Sequence, residues 1–397
     1  MQSRRVPSSP ITAAPDVSEP RALFRYVAEG GATGYTTAAT RLVQAVRGLG
    51  VPVELRGWSD WRAGVPGHLT DHEYDGREAE RPAAPGAPTV MHLVPEHLPG
   101  VSACVDGPVI VHTVWETDRI PDHWPGLCNR ADGVIVPTAW NRDAFVACGV
   151  RVPIEVVPHV ACDPVPGARS AGLGFDDDTI VFYTIARWDE RKVPALTVRA
   201  FLRAFTADDP VVLVVKTGAY SEVRPPEGWA SSSPMAFATA MQVAHLMRDF
   251  PNPANVCLEV GDWPDDRIAG LHHRGDCFVT LTHGEGWGIG SFDACAYGNP
   301  VVATGWSGHL TYLDRCASLV EYDLLPVEHR DPLSYSPPQR WAAARLEHAV
   351  ELLRGVAADP AAARLAATPL RDRVLRDYAA PVVAQQFLDA LGRLLAR

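Results

Sequence analysis

The run His283-Gly284-Glu285-Gly286-Trp287-Gly288-Ile289-Gly290-Ser291-Phe292-Asp293 carries the strongest chemical signal in the chain. Its glycines at 284, 286, 288 and 290 let the backbone approach a ligand closely and aim amides at it. A helix starting near Ser291 would add uncommitted N–H groups and the positive end of a helix dipole, which together attract an anion. Glu285 precedes the turn and Asp293 falls in the first turn of the helix. Carboxylates accept hydrogen bonds from sugar hydroxyls while amides take phosphate, so the pattern suits a ligand with hydroxyls beside a diphosphate. The plainer alternative is a glycine-rich turn in which Asp293 only complements the helix dipole.

A second cluster, Arg187-Trp188-Asp189-Glu190-Arg191-Lys192, directly follows the apolar run TIVFYTI. Arg187 and Lys192 at the carboxyl end of a strand can neutralise a diphosphate without a metal. Lys192 stands out because the chain has only one other lysine, Lys216, against 34 arginines. The competing reading is a charge cluster opening a helix, and Lys216 reads as a solvated strand end. A third segment, Glu29-Gly30-Gly31-Ala32-Thr33-Gly34, is a small-residue turn between a first strand and a first helix. Gly31 and Gly34 would let a phosphate or an acceptor approach, but the spacing is not the dinucleotide fingerprint G-x-G-x-x-G. That counts against a nicotinamide-dependent oxidoreductase, as does the lack of a matching acidic residue beyond Glu54 and Asp60. In the fourth segment, VHTVWETD, strand alternation would put His112, Val114 and Glu116 on one face. His112 and Glu116 could then act on protons or hydroxyls in a cleft, and the alternative for His112 is a hydrogen-bonded core histidine.

Elements able to place these groups are visible as apolar runs. Strands are expected at 23–27, 51–56, 89–94, 108–114, 133–137 and 154–158. A second set is expected at 179–185, 211–216, 255–260, 276–281, 300–304 and 317–321. Helices are expected at 35–48, 138–148, 193–206, 236–249, 291–298, 341–356, 360–378 and 381–396. Near-continuous apolar strands between helices indicate buried parallel sheets, hence an α/β fold of two Rossmann-like domains. The Pro-, Gly- and Asp-rich stretch 159–178 reads as the linker. Expected boundaries are a Pro/Ser-rich flexible leader over 1–20, an N-terminal domain over 21–165, a C-terminal domain over 166–378, and a final helix over 379–397.

The 397 residues carry a formal net charge of −11, shared between the two halves. No basic stripe offers itself to nucleic acid, and no apolar run spans a bilayer. Eight scattered cysteines with no C-x-x-C argue against zinc and disulfides and for a reducing, cytoplasmic setting. The adjacent His272 and His273 point apart on a helix, and Asp176–Asp178 read as a polar turn, so no metal is expected.

The small-residue turn, Arg187…Lys192 and above all EGWGIGSFDACAYGNPVVAT resemble retaining glycosyltransferases of the GT-B architecture, family-four type. That group includes sucrose-phosphate synthases and bacterial mannosyltransferases, and the resemblance covers roughly residues 22–395. It implies two domains facing a cleft, with the final helix crossing back onto the N-terminal domain. It also implies metal-free transfer of a sugar, with retention, from a nucleotide-diphosphate donor to a hydroxyl of a small-molecule, glycan or natural-product acceptor. Arg187 and Lys192 would hold the diphosphate, and Glu285 would approach the sugar hydroxyls. The backbone around Gly286, Gly288, Ile289 and Gly290 would meet sugar or phosphate. Asp293 would bind the ribose diol, one methylene shorter than the family's glutamate, and Val260–Trp263 would read the base. The family's catalytic-site histidine falls near Val114, so either His112 takes that role by a local shift or Glu116 contacts the acceptor. Trp58, Trp61, His68, His72, Trp115 and Trp124 could wall the acceptor site or serve in packing. Other GT-B activities, epimerase or phosphorylase-like, and an inactive nucleotide-sugar-binding protein are the alternatives.

Overall fold

The computed structural model describes residues 21–31, 33–59, 82–165, 172–223, 237–313, 317–329 and 331–396. The expected leader lies outside them, as do Asp60, Trp61, His68 and His72.

The N-terminal sheet comprises β1 (Phe24–Ala28), β2 (Val53–Gly57), β3 (Thr89–His92), β4 (Val109–His112), β5 (Gly133–Val136) and β6 (Ile154–Val156). Its order is β2-β1-β3-β4-β5-β6, parallel throughout. Helices α1 (Gly34–Gly48), α2 (Leu98–Ser102), α3 (Trp124–Cys128) and α4 (Ala139–Ala147) connect the strands. Thr33 and Thr138 cap α1 and α4 by accepting from the amides of Thr36 and Asn141, which satisfies donors that a helix start leaves orphaned.

The second sheet comprises β7 (Ile180–Ile185), β8 (Val211–Thr217), β9 (Asn255–Val260), β10 (Cys277–Thr280), β11 (Val301–Thr304) and β12 (Ser318–Val320). Its order is β12-β11-β10-β7-β8-β9, also parallel. Helices α5 (Pro194–Ala204), α6 (Thr239–Met247), α7 (Asp265–Arg274) and α8 (Ile289–Ala296) cover it. In each sheet the chain winds outward from its first strand and then reverses. The reversal leaves a crevice at the carboxyl ends of β1 and β3, and another at those of β7 and β10, the usual ligand positions in such sheets. The small-residue turn follows β1, Arg187…Lys192 follows β7, and the Glu285 turn follows β10, so all three segments sit at these crevices.

The expected helix over 341–356 is not continuous. Residues 340–344 form strand β14 (Arg340–Ala344), antiparallel to β13 (Tyr322–Pro326), and helix α9 (Leu346–Ala358) starts only after Arg345. The alanine-rich RWAAA reads as helix by propensity, and pairing with β13 overrides it. The segment between β13 and β14 forms an arm that leaves its own domain and touches the other. Tyr335 stacks on Trp115 with ring centroids 4.8 Å apart, and the Arg340 amide donates to Asp118 at 2.7 Å.

Helix α10 (Pro360–Asp377) packs on α8, and α11 (Ala380–Leu395) crosses to the N-terminal sheet. Phe387, Leu391 and Leu394 of α11 share one buried core with Phe24, Tyr26, Leu42 and Ile135. Strand β5 begins with Gly133, where a Cβ would collide with Leu394. Among the described residues no helix is long and apolar enough to cross a membrane.

Candidate active site

Lys192 and Glu285 come together where β7 and β10 end. Lys192 Nζ donates to both Glu285 oxygens, at 2.6 and 2.7 Å. The Arg191 guanidinium, 8% exposed, donates to the Gly284 carbonyl at 2.7 Å and lies 3.4 Å from Glu285. Burial alone would raise the Glu285 carboxyl, but Lys192 and Arg191 outweigh it and draw it down to about 2. An ammonium has three donors, so Lys192 keeps one beyond its two bonds to Glu285. Arg187 sits at the rim, with a side chain 68% exposed that reaches Asp189 at 3.2 Å and Glu222 at 3.4 Å. The Lys192 amide donates to Asp189 at 2.6 Å, which fixes the turn carrying all three cations. A cavity of about 310 Å³ opens here, between Arg187, Arg191, Glu222 and the arm residues His329, Asp331 and Tyr335.

The glycine-rich turn serves the protein's own contacts as well as any ligand. A Cβ at Gly284 would strike the Glu116 carbonyl, and one at Gly286 would strike Val114 and the Trp115 carbonyl. These two glycines let the domains close on each other, a use of close approach that the sequence could not separate from ligand contact. Gly288 adopts φ +86°, opening α8 with no side-chain cap. The first amides of α8 therefore remain an anion-binding end. Across the cleft, Gly34 faces Ile289, with its Cβ position 3.7 Å from Ile289 Cγ1, and Gly31 has φ +96°.

Asp293 is placed differently from the free ribose carboxylate expected. Arg41 of α1 grips it with a two-pronged bond, at 2.7 and 2.8 Å, from the opposite domain. Burial raises this carboxyl, but Arg41 overrides it and holds it below its ordinary value. Asp293 and Arg41 line a second cavity of about 600 Å³, together with Asp265 and Ile268 of α7 and Cys162 of the interdomain segment. In the segment expected to read a base, Trp263 is buried, and Arg267 sits over its ring at 3.6 Å.

Strand β4 ends at His112, so the alternation expected to carry on to Glu116 breaks off there. The ring is buried, stacks on His92 at 4.0 Å, and bonds through Nδ1 to the Tyr26 hydroxyl at 2.9 Å. Its Nε2 is buried with no hydrogen-bond partner among the described residues. Burial holds His92 and His112 far below the ordinary imidazole value, and both are neutral. Glu116 does face the cleft: Arg191 lies 3.4 Å away, and Tyr335 donates to it at 3.2 Å. Trp58, Trp115 and Trp124 are core residues rather than an acceptor wall. Among the described residues no group of three or more His, Cys, Asp or Glu is placed to hold a metal ion.

No protein-family model matches the sequence. The chain is 31% identical over 248 residues to the D-inositol 3-phosphate glycosyltransferase of Geodermatophilus obscurus. That match takes in 60% of this chain and 46% of the relative, so the chain spans about half the length of the curated relative it matches. The sucrose-phosphate synthase of Thermosynechococcus elongatus superposes with a TM-score of 0.65 at 16% identity, covering 95% of this chain and 100% of the other. HepE of Anabaena, solved with UDP and glucose, gives 0.61 at 14% identity, over 93% and 99%. The chain has the GT-B fold.

In this GT-B chain Arg187, Lys192, Glu285 and the start of α8 belong to one domain, while Gly34 and Glu116 face them from the other. Sequence reasoning missed Arg41 and Tyr335, and it named Arg191 in the charge cluster without giving it a role. Nothing local marks what they do, because each acts on a partner far away in the chain. The rarity of lysine and the place after strand β7 pointed to Lys192 without reference to its partner.

Proposed function

We propose that this chain is a glycosyltransferase that takes a sugar from a nucleotide-diphosphate donor and transfers it to an acceptor hydroxyl with retention, without a metal. The observation carrying this is the cluster of Lys192, Glu285 and the uncapped start of α8 at the β7/β10 crevice, with Arg187 exposed at its edge. The similarity to GT-B glycosyltransferases supports the same reading.

In this reading Arg187, the remaining donor of Lys192 and the α8 amides near Gly288, Ile289 and Gly290 receive the diphosphate. Glu285, ionised and fixed by Lys192, accepts from sugar hydroxyls. The cavity at Asp293 takes the nucleoside. Arg41 occupies one face of that carboxylate and leaves lone pairs for the ribose diol. As the bond from the anomeric carbon to the phosphate oxygen breaks, negative charge grows on the diphosphate, and preorganised cations and amides stabilise it. The acceptor oxygen bonds to the anomeric carbon on the same face, and its proton passes to the departing phosphate. The tight packing of the Gly284–Gly286 turn on Val114–Glu116 keeps out water, which is a competing acceptor.

A thermal-shift screen against UDP-, GDP-, ADP- and TDP-sugars tests this reading and identifies the base. One class should raise Tm, with an increment that grows with ligand concentration. No shift with any of them defeats the donor assignment. Binding without transfer or hydrolysis would favour a nucleotide-sugar-binding protein.

A further inference from the structure

Glu116 belongs to the N-terminal domain, yet both of its carboxylate oxygens are held from the other domain. Arg191 Nη2 lies 3.4 Å from one, and the Tyr335 hydroxyl donates to the other at 3.2 Å. Arg191 is buried and anchored at three points besides. It donates to the Gly284 carbonyl, it touches Glu285, and its own carbonyl accepts from the His283 amide at 2.8 Å. It therefore joins a carboxylate on the donor side of the cleft to one on the acceptor side. The planar fork of a guanidinium serves two carboxylates and a carbonyl from separate nitrogens in fixed geometry, whereas an ammonium offers its three donors from one freely rotating nitrogen. Glu116 keeps a side-chain exposure of 16%, enough to accept a hydrogen bond from a hydroxyl entering the cleft.

We infer that Arg191 is a positioning residue that places Glu116 beside Glu285, and that Glu116 orients the attacking hydroxyl. The inference rests on the glycosyltransferase reading. Tyr335 supplies the second hold on Glu116, and its ring is steadied between Trp115 and His329, with centroids 4.8 and 4.4 Å away. The arm thus enters the reaction geometry through a single hydroxyl.

The test uses hydrolysis of UDP-, GDP-, ADP- and TDP-glucose by the full chain, with water as the attacking group. R191K, E116Q and Y335F are compared with wild type on whichever donor is turned over. R191K and E116Q should each lower kcat about ten-fold with KM for the donor unchanged within about two-fold. Y335F should lower kcat about three-fold. The double variant R191K/E116Q should be no slower than the poorer single by more than about two-fold, because both act through one contact. A merely structural role for Arg191 would instead move KM and lower Tm, and its loss would multiply with that of E116Q. R191K with wild-type kcat, or multiplying losses in the double variant, overturns the inference and leaves the activity standing. Wild type that neither binds nor hydrolyses any of the four donors overturns both.

Discussion

Acid should destabilise this protein well before its carboxylates titrate. Burial lowers the His159 imidazole to about 3 and that of His272 to about 4, from an ordinary value of 6.5. His92 and His112 are held low for the same reason. The unfolded chain takes up protons near pH 6.5, and the folded chain does not take them up at these sites until far lower. Their contribution to stability is therefore complete above about pH 6.5 and is lost as pH falls below it. At pH 5 the unfolded state gains about 2 kcal/mol from each such histidine, at about 1.4 kcal/mol per pH unit. His159 and His272 together give about 4 kcal/mol, and His92 and His112 add in the same direction. At about 2.1 cal/mol/K of unfolding entropy per residue, the 397 residues give about 1.2 °C per kcal/mol, so the first two alone should lower Tm by about 5 °C between pH 7.5 and pH 5. Glu285 and Asp293, both held low, lose their contribution as the unfolded carboxylates take up protons, from about pH 5 downward, which leaves the window above it to the histidines. Calorimetric melts at constant ionic strength give the slope, and H159N/H272N should flatten it. A Tm that falls by less than about 3 °C over this range, or a double variant with the wild-type slope, refutes the reasoning.

Three mutations probe the site. Arg187→Ala removes an exposed side chain whose ion pairs add at most about 1 kcal/mol, so the fold should survive while transfer falls at least about a hundred-fold; turnover within three-fold of wild type counts against the diphosphate clamp. Arg41→Met leaves Asp293 buried and charged and should cost about 3 kcal/mol in denaturant melts, most of it recovered in R41M/D293N. Gly286→Ala drives a methyl into Val114 and the Trp115 carbonyl, so it should cost at least about 2 kcal/mol, measured by urea unfolding, or part the two domains.

The central strands of the two large sheets were legible because parallel strands buried on both faces are continuous apolar runs, and Val211–Thr217 was bounded to within a residue. The half-buried edge strand Asn255–Val260 was found as well. Strand β14 was not, since alanine followed by a helix gives the same local pattern whether or not a distant strand pairs with it. At the site, sequence identified segments better than it assigned roles. Glu285 and Lys192 were found in their motifs, but their mutual bond was not. A histidine at a strand end, such as His112, is common to a site and to a core, and its contacts with the Tyr26 hydroxyl and the His92 ring were not legible in the sequence. The tryptophans failed as a guide for the same reason: aromatic side chains line sugar sites and fill cores with equal ease.

Helix α11 also dictates an order of assembly. The N-terminal sheet is synthesised before the second one, yet its core includes Phe387, Leu391 and Leu394. At the usual ~5–20 residues per second, the ribosome needs roughly 10–50 s to travel from Val156 to Phe387. Through that interval the apolar face of the first sheet lacks its covering helix. The early domain therefore waits on the late one, and a nascent chain stalled anywhere before Phe387 presents a surface that chaperones recognise.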